Sequence, residues 1–333
     1  MKKIIPKLSM IFMVLAVSVF FLTGCGKSDA PELTRIKLSE VTHSIFYTPQ
    51  YVALNQGFFE EEGLAIELSN GQGADKVMTA VLTDQVDIGF AGPEASVYVY
   101  NEGKEDHSMV FAQLTNGDGT FLMGRDADPD FKWTDLEGKT VIGGRKGGMP
   151  AIVLQYVLSK NGLTVGKDVF IDTTMQFAAM PGAFLGGQGD YVIIFEPTAS
   201  AIEKEKKAYI VASLGKESGE IPYTAYFAKK STIENQPEMI QKFTNAIYKG
   251  QQWVAKHSPE EIAQVIQSQF PDESPEILVS AITRYKEQNS WKQNPILQKD
   301  DFYLLQQIMK DAGELDQIAP YEQVVTTKFE PNL

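Results

Sequence analysis

The sequence predicts an α/β fold with two lobes, each built on a mostly parallel β-sheet flanked by helices. Strand patterns alternate with helix patterns along most of the chain, which is typical of α/β layers. The 333 residues are 43% hydrophobic, so the chain has ample core material and exceeds one compact domain of ordinary size. A change of composition around residues 125–136 precedes a second series of strands and helices. We therefore assign residues 34–124 with 225–333 to the first lobe and residues 125–224 to the second.

The N-terminal segment has the features of a secretory signal. Lys2, Lys3 and Lys7 precede an apolar run that is shorter than the ~20 residues needed to span a bilayer comfortably. The tetrapeptide that follows, Leu22-Thr23-Gly24-Cys25, resembles a bacterial lipobox, which is cleaved before a lipid-bearing cysteine. We therefore expect a signal peptide at 1–24, lipidation at Cys25 that anchors the protein to the outer face of the cell membrane, and a flexible tether at 25–33. An ordinary cleavage site and an uncleaved anchor are the alternatives.

The first lobe begins with a run in which apolar and polar residues alternate, which is typical of a strand. Pro49 suits the first turn of the helix that follows, and Asn55 and Gly57 suit its end. Strand patterns occur at 34–41, 64–68, 87–91, 110–114 and 121–124, and helix patterns at 49–54, 58–63, 71–82 and 96–100. The polar segment 115–119 is interpreted as a turn between the last two strands, which places both strands in the first lobe.

The second lobe repeats the alternation, and the chain then returns to the first lobe. Strand patterns occur at 140–143, 169–171, 191–195 and 208–212, a loop and helix at 147–162, and a returning segment at 223–228. Residues 236–313 are mostly helical and amphipathic, with Met239, Phe243, Ile247 and Trp253 at helical intervals. These apolar residues are expected to pack in the core.

Charge and residue usage exclude several classes of function. The formal net charge is −13, without a basic stripe, and such a surface repels the phosphates of nucleic acids. The three histidines, His43, His107 and His257, lack the spacing of metal ligands, and Cys25 is the only cysteine. We therefore expect no bound metal, no cofactor and no nucleic-acid partner.

Several segments together resemble one family of binding proteins. They are Ser44 to Ala53, Gly57 to Leu64, Asp87 to Phe90, and Leu136 to Gly143 with the glycine-rich helix start after it. In this order they resemble the binding proteins for alkanesulfonate, taurine, nitrate and thiamine-pyrimidine precursors, over nearly the whole mature chain. The resemblance implies a periplasmic binding protein-like fold of type II, with two crossing segments as a hinge and a ligand in the cleft between the lobes.

The same resemblance implies a role in import. A binding protein of this class delivers a small solute to the permease of an ABC importer, whose separate ATPase subunits hydrolyse ATP. The protein itself is then expected to be a monomer without a nucleotide site.

Ligands of open α/β sheets bind beyond the carboxyl ends of the strands, where loops lead into helices. The residues that we select at such positions are Phe46, Tyr47, Gly92, Pro93, Glu94, Gly147, Gly148, Met149, Phe177 and Glu196. The two aromatic residues after the first strand would supply an apolar wall and a hydroxyl group. The glycine-rich loop would let backbone N–H groups face an anion. Each of these features also has a purely structural interpretation. The aromatic rings could pack under their own helix, the glutamate could interact with the dipole at a helix start, and the glycine-rich loop could be a tight turn.

The two glutamates and the glycine-rich helix starts favour different ligands. A carboxylate in a cleft that excludes water needs a partner, either a donor group of the ligand or an arginine of the protein. Glu94 and Glu196 therefore favour a ligand with N–H donors or positive charge, whereas the helix starts tolerate an anion. A zwitterion such as taurine, or an aminopyrimidine, would suit both features. We favour the amine-bearing ligand.

Two other functions stay open. Glu94 and Glu196 could form an acid–base pair, although the chain has no Gly-x-Ser-x-Gly elbow, metal quartet or phosphate-binding Gly-Lys-Ser/Thr motif. The protein could also be a sensor lipoprotein that binds a ligand without transport. The interpretation that we favour is a solute-binding lipoprotein, not an enzyme.

Overall fold

A computed structural model describes residues 32–331, and its strands lie where the sequence predicts them. The signal peptide at 1–24, the lipidation at Cys25 and most of the tether lie outside the described residues. The strands are β1 (Thr34–Glu40), β2 (Leu64–Asn70), β3 (Ile88–Ala91), β4 (Ser108–Asn116), β5 (Thr120–Gly124), β6 (Thr140–Ile142), β7 (Phe170–Asp172), β8 (Tyr191–Phe195), β9 (Tyr209–Ser213) and β10 (Pro222–Lys229).

Helices fill most of the intervals and the C-terminal part of the described chain. They are α1 (Thr48–Asn55), α2 (Phe58–Glu61), α3 (Ala74–Leu82), α4 (Glu94–Asn101), α5 (Met149–Lys160), α6 (Met180–Leu185), α7 (Thr198–Lys204), α8 (Leu214–Ser218), α9 (Lys230–Asn235), α10 (Pro237–Lys256), α11 (Pro259–Ile266), α12 (Pro275–Glu287), α13 (Lys299–Asp311) and α14 (Tyr321–Val324). Within residues 32–331, no helix combines the length and the apolar character needed to cross a membrane.

The first sheet has the strand order β2-β1-β3-β10-β4. Strand β1 pairs in parallel with β2 on one side and β3 on the other, so that Leu38 lies between Leu68 and Ile88. Strand β10 runs antiparallel to both β3 and β4. Among the described residues, four of the five strands therefore share one direction. This confirms the mostly parallel sheet, with the returning strand as the exception.

The second sheet repeats this arrangement with the order β7-β6-β8-β5-β9. Strand β6 pairs in parallel with β7 and β8, and β5 runs antiparallel to β8 and β9. In each sheet, the antiparallel strand is the first one that the chain forms after crossing from the other sheet. The two sheets form the cores of two lobes, as the sequence predicts.

The first crossing lies earlier in the chain than the sequence analysis places it. Strand β5 pairs with β8 and β9, so its assignment to the first sheet is wrong. The chain crosses at residues 117–119 and returns at 219–221, where Gly117 N donates to Ile221 O at 2.7 Å. Because a three-residue link between two strands looks like a hairpin turn in sequence, the local pattern does not distinguish the two. We propose lobes of 34–119 with 222–331, and 120–221, in place of the boundaries at 124 and 224.

The C-terminal helices contact both lobes. Helix α10 packs closely on α1, and a Cβ atom at Gly250 would overlap the Pro49 carbonyl oxygen. Helix α12 packs on α11 and also contacts α7 of the second lobe, while α13 contacts α4 and α5. Of the predicted core positions, Met239, Phe243 and Ile247 are buried, and Trp253 is partly buried against the core.

Candidate functional site

A cavity lies between the lobes, at the ends of the parallel strands where their loops lead into helices. It is lined from the first lobe by Val41, Thr42, Tyr47, Gly73, Ala74, Gly92, Glu94, Tyr223 and Thr224, and from the second by Arg145, Gly148, Met149, Pro150, Gln176, Phe177 and Phe195. Both lobes contribute strand ends and helix starts, which is the location that open α/β sheets use for ligands. Of the predicted contact residues, Tyr47, Gly92, Glu94, Gly148, Met149 and Phe177 line it.

Aromatic rings form much of the cavity wall. Phe177 and Phe195 of the second lobe meet edge to face with ring centroids 5.7 Å apart. Tyr47 and Tyr223 face them from the first lobe, and Phe195 and Tyr223 lie 6.5 Å apart. Such rings offer flat apolar surfaces at a low cost in side-chain entropy, so the cavity suits a planar or apolar part of a ligand.

Phe46, another predicted contact, lies behind this wall. Its ring packs against Tyr223 and Phe195 at centroid distances of 5.6 and 5.9 Å, and it is fully buried. A Cβ atom at Gly119 would lie 2.7 Å from the same ring. Phe46 therefore supports the aromatic wall and the crossing segment and does not line the cavity.

Glu94 is the acidic side chain of the cavity lining. It is the first residue of α4, two positions earlier than the predicted start of this helix, and Pro93 precedes it as the N-cap. The residue is only 2% exposed, and its Oε2 atom has no hydrogen-bond partner. Gly92 leaves room for the carboxylate, because a Cβ atom there would overlap Oε2. An unpaired oxygen on a buried carboxylate is rare and costly, so this atom calls for a donor.

The surroundings of Glu94 change its ionisation. Burial raises the pKa of Glu94 from 4.5 to about 7. The backbone N–H groups of Glu94, Met149 and Ala95 and the charge of Arg145 act in the opposite direction. Met149 begins α5 of the second lobe, so the carboxylate of one lobe faces the helix start of the other. Glu94 is therefore poised between neutral and charged forms near neutral pH.

The loop between β6 and α5 brings the second lobe to the cavity. Gly148 and Met149 line the cavity, while Gly147 lies beside it and accepts a hydrogen bond from the Tyr98 hydroxyl of the first lobe at 3.2 Å. Arg145 of the same loop lies 3.1 Å from Asp75 of α3. These two contacts join the lobes at the rim of the cavity.

Glu196 has its partners within the protein. Its Oε1 atom accepts hydrogen bonds from Arg284 at 2.7 Å and from the Ser200 hydroxyl at 2.9 Å, and its Oε2 atom accepts one from Ser200 N at 2.8 Å. Arg284 also binds Glu203 at 2.7 Å. Glu196 lines a second, outer cavity with His43 and does not line the inner one. Of the two partners that the sequence left open, the structure contains the arginine.

His43, at the outer cavity, is also satisfied internally. Its Nδ1 lies 2.7 Å from Glu40 Oε1 and its Nε2 lies 2.9 Å from the Gln269 carbonyl oxygen. Burial lowers the pKa of His43, but the hydrogen bonds to Glu40 and Gln269 outweigh it, so that the pKa is raised. The charged ring therefore has two acceptors from the protein.

Sequence reasoning did not select several residues that shape this site. Tyr223 and Phe195 line the cavity, and Asp75 pairs with Arg145 at its rim. Asp118, in the crossing segment, is fully buried beside Tyr223, and burial raises its pKa to about 7. The crossing segments could have identified Tyr223 and Asp118, because residues next to a link between two lobes lie close to the cleft. Among residues 32–331, no group of three or more His, Cys, Asp or Glu side chains is placed to hold a metal ion.

Comparison with known proteins agrees with this geometry. The family model described as NMT1/THI5 like matches residues 45–262. The chain is 45% identical over 311 residues to "Putative binding protein YtlA" of Bacillus subtilis (strain 168), an alignment that covers 93% of this chain and 92% of that protein.

Solved structures share the fold at low sequence identity. The alkanesulfonate-binding protein SsuA from Xanthomonas axonopodis pv. citri, bound to MOPS, aligns with a TM-score of 0.71 at 15% identity, covering 90% of this chain and 100% of that chain. The periplasmic nitrate-binding protein NrtA from Synechocystis PCC 6803 aligns with a TM-score of 0.57 at 18% identity, covering 72% of this chain and 67% of that chain. These likenesses confirm the periplasmic binding protein-like fold, while the family model and the relative at 45% identity confirm the predicted family.

Proposed function

This chain belongs to the NMT1/THI5-like family, and from that premise we propose that it is the substrate-binding lipoprotein of an ABC importer. It captures a small polar organic solute outside the cell and delivers it to a permease. The observation that carries the proposal is the cavity between the lobes, in which the buried Glu94 leaves one carboxylate oxygen without a partner. The curated relative at 45% identity is named as a binding protein, which supports the same role.

The cavity favours a ligand that combines a flat apolar part with N–H donors. Aromatic rings from both lobes suit the flat part, and Glu94 Oε2 needs a donor once water is excluded. Hydrogen bonds to charged groups contribute about 1.5–3 kcal/mol, more than neutral ones. An aminopyrimidine-like solute therefore fits better than an alkanesulfonate, whose only charged group is negative, and better than taurine, which has no flat apolar part.

Lobe closure gives the mechanism of capture. Glu94 and Tyr47 belong to one lobe and Met149 and Phe177 to the other, so a solute contacts the full set only in the closed form. Binding then shifts the population toward that form, because the ligand makes contacts that the open form lacks. The permease recognises the closed form, and opening there releases the solute.

A panel of solutes with matched variants tests the ligand class. Thermal unfolding of the purified protein is measured with aminopyrimidines, taurine, alkanesulfonates, nitrate, polyamines and amino acids. A ligand at about 100 times its Kd adds about 2.7 kcal/mol to stability. We expect an aminopyrimidine to bind, and Glu94→Gln to weaken it by roughly 10- to 100-fold.

Glu196→Gln is the matched control, because it makes the same change in a buried glutamate that already has internal partners. It should lower stability and leave affinity unchanged. Equal losses of affinity in the two variants would contradict the assignment of Glu94 as the ligand contact. Release of a modified product from a panel member would favour an enzyme.

Uptake experiments distinguish transport from sensing and test the anchor. A strain without this protein should lose uptake of the solute, and the intact gene should restore it. Cys25→Ser should leave solute binding intact but move the protein from the membrane fraction to the medium. Normal uptake without the protein would favour the sensor.

A further inference from the structure

Three helix starts that face the cavity are each met by a carboxylate of the protein itself. Helix starts attract anions, because their backbone N–H groups are unpaired and the helix dipole is positive there. Glu94 stands at the start of α4 and also faces the Met149 N–H at the start of α5. Asp75 is the second residue of α3. The positive ends of these three helices are therefore already neutralised.

Asp75 also forms an ion pair with Arg145. Arg145 is the cationic side chain among the residues that line the inner cavity, and its Nη1 lies 3.1 Å from Asp75 Oδ1. The Asp75 side chain folds back over the helix start, where a Cβ atom at Gly73 would lie 2.7 Å from Oδ1. Asp75 thus compensates the helix start of its own lobe and the arginine of the opposite lobe.

Two other basic side chains near the cleft have partners within the protein. His43 is bound by Glu40 and the Gln269 carbonyl group, and Arg284 is bound by Glu196 and Glu203. Arg145 differs from them because its partner is an exposed rim residue. The Asp75 side chain is 57% exposed, whereas that of Glu196 is fully buried. Replacement of Asp75 therefore frees a cation without leaving a buried charge unpaired.

We infer that Asp75 is a specificity-determining residue that excludes anions from the cleft by occupying Arg145 and the start of α3. This inference rests on the proposed ligand-binding function of the same cleft. It also explains how a cleft with several helix starts selects a ligand with N–H donors, because the specificity depends on unfavourable charge as well as on favourable contacts.

The test compares binding of methanesulfonate to three proteins by isothermal titration, with sodium chloride at equal ionic strength as the reference. The proteins are the unmodified chain, Asp75→Asn, and Asp75→Asn combined with Arg145→Gln. We expect Asp75→Asn to bind methanesulfonate roughly tenfold or more tightly than the unmodified chain, which corresponds to about 1.4 kcal/mol or more. The double variant should lose this gain. Added salt should also reduce it, because the rim is exposed to solvent and its charges are screened.

Either of two outcomes would overturn the inference. One is that the unmodified chain and Asp75→Asn bind methanesulfonate with equal affinity. The other is that the double variant retains the gain in affinity. Unfolding temperatures without methanesulfonate establish that the variants fold, and Asp75→Ser provides a second replacement if Asp75→Asn does not.

The result for Asp75 and the result of the solute panel can be distinguished from each other. If the unmodified protein binds no panel member but Asp75→Asn gains methanesulfonate, the proposed ligand class fails and the role of Asp75 stands. If an aminopyrimidine binds but Asp75→Asn gains nothing, the proposed function stands and the role of Asp75 fails.

Discussion

At the scale of single residues, two buried glutamates, one in each lobe and each where a strand leads into a helix, differ in their partners. Glu196 accepts hydrogen bonds from Arg284 and Ser200, which satisfy both of its oxygens. Glu94 has backbone N–H groups on one side and an unpartnered Oε2 on the other. The difference arises from their neighbours, since an arginine 88 positions along the chain reaches only one of them.

The ionisation of Glu94 predicts a pH-dependent stability. Burial raises its pKa from 4.5 to about 7, so the folded protein holds this proton more tightly than the unfolded chain does. The contribution of Glu94 to stability is complete below pH 4.5 and is lost as the pH rises through about 7. Glu94→Gln should therefore gain stability relative to the unmodified protein between about pH 5 and pH 8, by on the order of 3 kcal/mol at most.

Chemical unfolding of the two proteins across this pH range checks the prediction. The comparison cancels the contribution of Asp118, which burial also shifts to about 7 and which is the same in both proteins. Parallel pH profiles would mean that Glu94 keeps an ordinary pKa in the folded protein.

At the scale of elements, the position of the site depends on how tightly the helices pack around the strand ends. Helix α10 approaches α1 at Gly250, where a Cβ atom would overlap the Pro49 carbonyl oxygen and lie 3.1 Å from Ala53 Cβ. Helix α1 in turn follows the segment that contains Phe46 and Tyr47. The packing of the C-terminal helices therefore determines where the aromatic wall of the cavity lies.

Two glycine-to-alanine changes separate helix propensity from packing. Alanine is better than glycine in a helix by about 1 kcal/mol. At Gly250 the overlap with backbone atoms outweighs this gain, and we expect a net loss of about 1–3 kcal/mol. Gly182 of α6 has nothing within 4 Å of an added Cβ atom, so Gly182→Ala should be neutral or stabilising. Denaturant unfolding measures both, and a stabilised Gly250→Ala variant would contradict the close approach of α10 to α1.

At the scale of the whole molecule, the two lobes are joined by two crossing segments and by several contacts across the cleft. Residues 117–119 and 219–221 cross between the sheets. Across the cleft, the Ser44 hydroxyl donates to Glu196 O at 2.9 Å, and Tyr98 and Arg145 contact the opposite lobe. We therefore expect domain closure of the hinge type, in which short crossing segments absorb the movement.

Spin labels on the two lobes measure that movement. Helices α4 and α5 both begin at the cavity, and Glu102 and Lys160 are exposed residues at their far ends. With Cys25→Ser and cysteines at these two positions, we expect ligand to narrow the distance distribution toward that of the closed form. The same broad distribution with and without a stabilising ligand would contradict capture by lobe closure.

The sequence by itself determined the features that depend on neighbouring residues. The alternation of strands and helices, the mostly parallel direction of the sheets and the strand ends that bear Tyr47, Glu94 and Met149 were all predicted. Hydrophobic period and turn residues reflect local geometry, so a single sequence contains this information.

The tertiary structure alone decided which distant segments meet. It placed β5 in the second sheet, paired Glu196 with Arg284, brought Tyr223 to the cavity, and set Asp75 of one lobe against Arg145 of the other. The partners in these contacts are separated by tens of residues, and their meeting depends on the packing of both lobes at once. No local pattern records such a contact, which is why the charge balance of the cleft could not be predicted from its loops.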